Sequence, residues 1–151
     1  MKQNHLAYAL SLLGRKSYSR RDLSNKLLQK GATNEELEGV LLRLSEWKYI
    51  DDRTFARNFI QKRLKIQPRG EFLLKLELLR KGISEENIQE VLSELNFSEN
   101  DVAREILQKK TRQIQGFAEE KRFQKTASIL KNRGFRPEMI TETVSDFLKS
   151  L

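Results

Sequence analysis

The chain contains two closely similar stretches of sequence. "LLQKGATNEELEGVLLRL" runs from Leu27 to Leu44, and "LLRKGISEENIQEVLSEL" runs from Leu78 to Leu95. A more divergent third copy, "LKNRGFRPEMITETVSDF", surrounds Gly134. Copies spaced by about fifty residues indicate tandem structural units that stack on their neighbours.

Each copy predicts two helices joined at its glycine. Glycine readily adopts the left-handed backbone that ends a helix. After the glycine, apolar residues return at helical spacing, as Leu37, Val40 and Leu44 do in the first copy. Thr33 and Glu36 have the spacing of a capping box at the start of this second helix.

A further helix precedes each pair, which makes three helices per unit. These first helices are "LAYALSLLG", "DDRTFARNFIQKRLKI" with Asp51 or Asp52 at its N-cap, and "SENDVAREILQKKTRQIQ" capped by Ser98. No segment alternates as a strand would. The chain is therefore predicted to be all-α, with nine helices in three tandem three-helix, helix-turn-helix-like repeats (1–50, 51–97 and 98–151). We expect these repeats to form an elongated, curved array.

The residues that usually perform catalysis are scarce. The absence of cysteine excludes thiol nucleophiles, thiolate zinc sites and disulfides. His5 is the only histidine, and its place near the terminus suggests a solvated side chain. Phosphate-binding loops and nucleophile elbows are missing from the sequence, and Asp51 and Asp52 are better explained as helix caps than as metal ligands. We predict a protein that is not an enzyme and needs no cofactor or metal.

Basic residues outnumber acidic ones. Lys and Arg total 29 against 21 Asp and Glu, for a net charge of +8. This balance favours nucleic acid or an acidic protein surface as partner, although a merely solvated basic face explains it equally well. No apolar run approaches the ~20 residues that span a bilayer, and the N-terminus lacks a signal-peptide pattern. A cytoplasmic protein without membrane contacts is expected.

The aromatic residues fit core packing better than base stacking. Phe55 and Phe59 share one side of a helix, and Phe72 lies on an apolar stripe. Trp47 and Tyr49 stand where the first repeat meets the second. We interpret this pair as a wedge between repeats.

The middle of the chain resembles the RecX family of recombinase regulators. "YIDDRTFARNFIQKR" followed by "GEFLLKLELLRKGISEENI" carries the family pattern of an apolar residue with two Asp, then Phe-Ala, Gly, Glu-Leu and Lys-Gly-Ile. The first repeat, "YALSLLGRKSYSRRDLSNKLLQKG", is also similar to the family, and the third is the least diagnostic. Ala32 departs from the bulkier apolar residue that is typical there, which affects local packing only.

The resemblance implies both a fold and a function. It implies tandem three-helix repeats that bind the groove of the RecA–DNA filament and mainly inhibit its ATPase and strand exchange, as a regulator of homologous recombination and DNA repair. The expected partners are the RecA filament and single-stranded DNA, with double-stranded DNA left open, and we expect a monomer. Basic side chains would contact DNA phosphates or acidic RecA surface. The candidates are Arg20, Arg21, Lys26, Arg53, Arg57, Lys62, Arg63 and Lys65.

Two other functions fit the residues. A helix-turn-helix DNA-binding module acting without a recombinase would show a preferred DNA sequence. Against it, the helices that would enter the groove are acidic at Glu35, Glu36, Glu85 and Glu86. A pure protein scaffold would show no DNA affinity even at low salt.

Overall fold

The computed structural model describes residues 4–151, and this part of the chain is entirely helical, without a strand. The all-α prediction is confirmed. The ten helices of the described residues are α1 (His5–Leu13), α2 (Arg20–Gln29), α3 (Asn34–Glu46), α4 (Asp52–Ile66), α5 (Glu71–Arg80), α6 (Glu85–Glu94), α7 (Glu99–Lys109), α8 (Thr111–Gln115), α9 (Glu119–Asn132) and α10 (Pro137–Lys149). None of them is long and apolar enough to cross a membrane.

The predicted count of nine helices was wrong, because α7 and α8 are separate. The backbone of Lys110 leaves helical geometry at φ −109° and ψ 13°. The hydroxyl of Thr111 donates to the carbonyl of Gln108 at 2.8 Å. Such a side-chain bond offers the backbone an alternative to the helical ladder, and helices often bend where it forms.

The three repeat glycines end helices as predicted. Gly31, Gly82 and Gly134 have φ values of 91°, 84° and 82°. In each turn the amide of the following residue donates to a carbonyl five residues back, at 3.1 to 3.3 Å. This is the Schellman arrangement, which satisfies carbonyls that the helix end leaves open.

The helix starts also follow the sequence. Glu36 N donates to Thr33 Oγ1 at 3.1 Å and Thr33 N to Glu36 Oε1 at 3.3 Å, which completes the capping box. Ser98 caps α7. The sequence left two candidates for the cap of α4, and Asp51 is the one that accepts from two amides of the first turn, at 3.0 and 3.3 Å. Asp52 is then the first helical residue.

Two compact units make up the chain. The first, here called the N-terminal unit, consists of Met1–Asn58 with Leu78–Val91, and the C-terminal unit consists of Phe59–Glu77 with Leu92–Leu151. In the N-terminal unit α1, α2 and α3 enclose a core centred on Leu23, Leu27 and Leu44. In the C-terminal unit the core is formed by residues of α7 to α10, such as Leu107, Ile114, Leu130 and Val144.

Several aromatic residues lie outside the core, contrary to prediction. Trp47 and Tyr49 are 51% and 57% exposed, so they are not a buried wedge, and Phe72 is 63% exposed. The reason is the turn after α3, where Lys48 has a φ of 60° and Tyr49 N donates to Leu44 O at 2.8 Å. This turn carries Ile50, and not the two aromatic rings, into the core.

His5 is the other correction at this end of the chain. The side chain is only 8% exposed rather than solvated, and its Nε2 lies 3.2 Å from Glu36 Oε2. It therefore joins the start of α1 to the start of α3 within the N-terminal unit.

Candidate partner-binding surface

The eight predicted contact residues lie on two helices. Arg20, Arg21 and Lys26 are on α2, and the other five are on α4. The division between the two units falls inside α4, after Asn58. Arg20, Arg21, Lys26, Arg53 and Arg57 therefore belong to the N-terminal unit, and Lys62, Arg63 and Lys65 to the C-terminal unit.

The three lysines of this set are open to solvent. Lys26, Lys62 and Lys65 are exposed. Within residues 4–151 no carboxylate lies within ion-pair distance of their ammonium groups. An exposed cation that has no ion-pair partner can bind a phosphate without first breaking an existing contact.

The two arginines that begin α2 have structural contacts. Arg20 donates from its backbone amide to Asp52 Oδ1 at 2.9 Å and from Nη1 to Ser45 Oγ at 3.3 Å. The stem of Arg21 lies against Gly82, where a Cβ would come within 2.6 Å of the Arg21 side chain. Both side chains remain exposed, so their positions are defined while their surfaces stay accessible.

The arginines of α4 are half-buried and engaged. Arg53 Nη1 lies 3.1 Å from Glu90 Oε2 in the N-terminal unit, with 43% of each side chain exposed. Arg57 also has an interaction partner. In the C-terminal unit Arg63 Nε lies 3.3 Å from Glu77 Oε2, and its guanidinium is 5.0 Å from the centre of the Phe59 ring. These arginines fix α4 against its neighbours, whereas Lys26, Lys62 and Lys65 are available for contacts with a partner.

A hydrogen bond of the same kind joins one repeat to the next in each unit. In the N-terminal unit the amide of Arg20, the first residue of α2, donates to Asp52, the first residue of α4. In the C-terminal unit the amide of Glu71, the first residue of α5, donates to Glu99 Oε1 at 3.2 Å. Glu99 is the first residue of α7. We call this bond the cross-repeat cap, because an acid of the following repeat satisfies a helix-start amide of the preceding one.

The second and third glycine turns also press against the preceding repeat. Gly82 meets Arg21 at the start of α2, and Gly134 meets Leu73 at the start of α5. Gly70 N donates to Arg133 O at 2.7 Å beside the latter contact. By contrast, nothing lies within 4 Å of a Cβ built on Gly31.

No constellation for metal binding is present in the part of the chain that the structure describes. No group of three or more His, Asp or Glu side chains there could share a metal ion. Arg53 and Arg63 of α4 pair with Glu90 of α6 and Glu77 of α5, and Arg69, between α4 and α5, also pairs with Glu77.

Models of two known domains match the chain. The one described as the first three-helix domain of RecX matches residues 6–44, and the one described as the second matches residues 51–92. These ranges contain most of α1 to α3 and most of α4 to α6.

Whole relatives match over about two thirds of the chain or more. The regulatory protein RecX of Chlorobium phaeobacteroides is 34% identical over 142 residues, which cover 94% of this chain and 92% of that protein. The regulatory protein RecX of Thermus thermophilus is 41% identical over 99 residues, or 66% of this chain and 68% of the relative.

Solved structures agree in fold. The crystal structure of RecX from Lactobacillus salivarius superposes with a TM-score of 0.83 at 17% identity, covering 97% of this chain and 96% of that one. Another crystal structure of a regulatory protein RecX gives 0.79 at 23% identity, over 94% of this chain and 71% of that one. With two domain models and near-complete relatives in agreement, the chain belongs to the RecX family of regulatory proteins.

Proposed function

We propose that this protein regulates homologous recombination by binding in the groove of the RecA–DNA filament, where it mainly inhibits the RecA ATPase and strand exchange. The observation that carries the proposal is the match to RecX regulatory proteins over 94% of the chain. The identity of the target follows from the family resemblance. The charge and repeat structure explain how such binding would work.

Tandem repeats and exposed lysines suit a polymeric, negatively charged target. When one repeat has bound, its neighbours are held at high effective concentration next to further sites, so weak contacts add up. Lys26, Lys62 and Lys65 are available for phosphates or for acidic side chains of RecA. Contacts with phosphates weaken as salt is raised, because the free energy gained by releasing counterions from the DNA becomes smaller.

The acidic helix starts weigh against a sequence-reading helix-turn-helix module. Such a module brings the start of its recognition helix to the base edges. Here the first turns of α3 and α6 each expose two glutamates to solvent. Phosphates on both sides of the groove would repel them. A filament-binding role needs no such insertion.

The test is the ATPase rate of the cognate RecA on single-stranded DNA, titrated with this protein at two salt concentrations. The rate should fall at less than one regulator per RecA protomer, and the fall should be weaker at the higher salt. An unchanged rate with correctly folded protein would remove the proposal and favour a DNA module or a scaffold.

A charge-reversal set locates the binding residues. Lys26→Glu, Lys62→Glu and Lys65→Glu combined should lower the slope of log affinity against log salt for single-stranded DNA by about 2, at about 0.7 per lost phosphate contact. The matched control is Lys121→Glu, Lys131→Glu and Lys149→Glu, which changes the charge equally at exposed positions of the third repeat. Equal losses in the two triple variants would mean that net charge, and not the α2 and α4 lysines, drives binding.

A further inference from the structure

We propose that Trp47 and Tyr49 stack on the bases of single-stranded DNA while Lys48 between them binds a phosphate. The inference rests on the proposed function, because it assumes a target that carries single-stranded DNA. The three residues, here called the aromatic turn, follow α3 in the N-terminal unit. The aromatic turn would be a ligand site in addition to the basic residues of α2 and α4.

The rings of the aromatic turn are available for contact. More than half of each side chain is exposed, the ring centres are 6.3 Å apart, and the ring planes meet at 83°. Ile50, directly after the turn, is the residue that enters the core. Core packing therefore does not explain why two large aromatic residues stand here.

Lys48, which separates the two aromatic residues in the sequence, has an unfavourable backbone conformation. Lys48 has a φ of 60°, a conformation that costs a residue with a Cβ about 1 kcal/mol or more. The equivalent turn after α6 uses Asn96, with a φ of 51°, and asparagine tolerates this region better than lysine does. Among residues 4–151, no carboxylate lies within ion-pair distance of the Lys48 ammonium group. A strained residue with a free charge is typical of a binding position.

Further aromatic and basic groups border the aromatic turn. Lys48 and Tyr49 line a surface cavity of about 210 Å³ together with Tyr18. The ammonium of Lys16 lies 4.8 Å from the centre of the Tyr18 ring. Lys48 also lines a second cavity, of about 480 Å³, together with Arg20. Rings and cations thus occur together on this surface, a combination that grooves for single strands also use.

Two acids line these cavities as well, Asp51 in both of them and Asp52 in the larger one. Asp51 accepts from two backbone amides and from the hydroxyl of Thr54 at 3.1 Å, and Asp52 accepts from the amide of Arg20. Both carboxylates are therefore directed at donors of the protein. Two acids of this region are exposed, Asp51 and, on the last turn of α3, Glu46.

Single-stranded DNA fits better than a duplex or a protein. The faces of bases are accessible only when the strand is unstacked, and stacking on an aromatic side chain is worth about 1–3 kcal/mol per base with little sequence preference. A protein partner would use the two rings as apolar anchors and would need an acid placed at the lysine, whereas every stretch of single-stranded DNA has a phosphate next to each base.

The single tryptophan gives a direct readout, because Trp47 is the only one in the chain. The full-length protein is titrated with an oligothymidylate at low salt. Tryptophan fluorescence should be quenched in a saturable way, with the same midpoint as the anisotropy of a labelled oligothymidylate. Heparin, a polyanion without bases, should leave the fluorescence almost unchanged. Equal quenching by heparin would overturn the stacking inference, since charge alone would then account for it.

Variants separate stacking from folding and from charge. Trp47→Ala and Tyr49→Ala should each weaken oligothymidylate binding about 5- to 150-fold, and Trp47→Phe should retain most of it. The control is Phe123→Ala, which removes an exposed aromatic residue on α9 and should leave affinity unchanged. Anisotropy that shows wild-type affinity in Trp47→Ala would contradict the inference.

The same samples distinguish this inference from the proposed function. Quenching by DNA without any effect on the RecA ATPase would remove the proposed function and leave the stacking site. Normal inhibition of RecA with no quenching during DNA binding would do the reverse. Inhibition lost in Trp47→Ala, with oligothymidylate affinity unchanged, would assign the aromatic turn to RecA itself and overturn DNA as its occupant.

Discussion

At the scale of single residues, Gly82 meets two requirements at once. Its φ of 84° is left-handed, and the side chain of Arg21 occupies the space that a Cβ would need. Gly31 meets only the first requirement, with a φ of 91° and nothing within 4 Å. The pair therefore separates the cost of a left-handed backbone from the cost of steric overlap.

We predict that Gly82→Ala destabilises the protein more than Gly31→Ala does. The left-handed backbone should cost each variant about 1 kcal/mol, and overlap with Arg21 should add about 1–3 kcal/mol to Gly82→Ala alone. Urea denaturation followed by circular dichroism measures both free energies of unfolding. Arg21→Ala combined with Gly82→Ala should recover only part of the extra loss, because it removes Cδ and Nε of Arg21 but keeps the Cβ, which also lies 2.6 Å from a Cβ at Gly82. Equal losses in the two single variants would show that Arg21 moves away freely.

Sequence predicts the conformation of these glycines but not their neighbours. A glycine between two helical patterns indicates a left-handed turn, because the signal lies within a few residues. The approach of Arg21 to Gly82 depends on how one repeat packs on another, which no local pattern encodes. The burial of His5 was missed because it depends on how α1 packs on α3, and the exposure of Trp47 was missed because the turn after α3 carries Ile50 into the core instead.

At the scale of helices, Lys48 holds the end of α3 in a conformation that glycine would adopt more easily. We predict that Lys48→Gly raises the free energy of unfolding by about 0.5–1 kcal/mol and at the same time weakens binding to oligothymidylate. Asn96→Gly, at the matching turn after α6, should change DNA binding little. Thermal melting and anisotropy measure the two effects. A Lys48→Gly protein with unchanged affinity would show that the cation is not used.

The cross-repeat cap is the second feature of this scale. Asp52→Ala removes the acceptor of the Arg20 amide and should lower the free energy of unfolding by about 1–2 kcal/mol, while Asp52→Asn, which keeps an oxygen, should lose less. Asp146→Ala removes an exposed acid of α10 and controls for the change of charge. If Asp52→Ala and Asp146→Ala melt alike, the cap contributes nothing measurable.

Helix positions were largely readable from the sequence because periodicity and caps are local. The capping box, the Ser98 cap and the glycine turns were all predicted at the correct residues. The break between α7 and α8 was not, since a bond from Thr111 to the backbone competes with the helix over a single residue. The spacing of hydrophobic residues does not reveal where a side chain competes with the backbone for a carbonyl group.

At the scale of the whole molecule, each of the two units has a hydrophobic core built from residues of the same chain. We expect a monomer of 17.8 kDa. Sedimentation equilibrium should return this mass at micromolar concentrations in both low and high salt. A dimer that disappears in Trp47→Ala would instead identify the aromatic turn as a self-association surface.

The candidate binding surface was the least predictable part. The sequence indicated which residues are basic, but Arg53 and Arg63 turned out to pair with glutamates, whereas Lys26, Lys62 and Lys65 did not. Pairing depends on the distance between helices that are remote in sequence. Composition therefore limits the class of partner, and only three-dimensional structure selects the side chains that are free to meet it.

The cross-repeat cap amounts to a rule for extension. Asp52 and Glu99 each lie at the start of a repeat, and each accepts a hydrogen bond from the start of the second helix of the preceding repeat. The following repeat therefore supplies the acid of each junction. The start of α9 has no side-chain cap of its own. If another three-helix module that begins with an acid were appended, this acid would accept a hydrogen bond from an amide at the start of α9. Longer or shorter regulators could thus be assembled from one reusable joint.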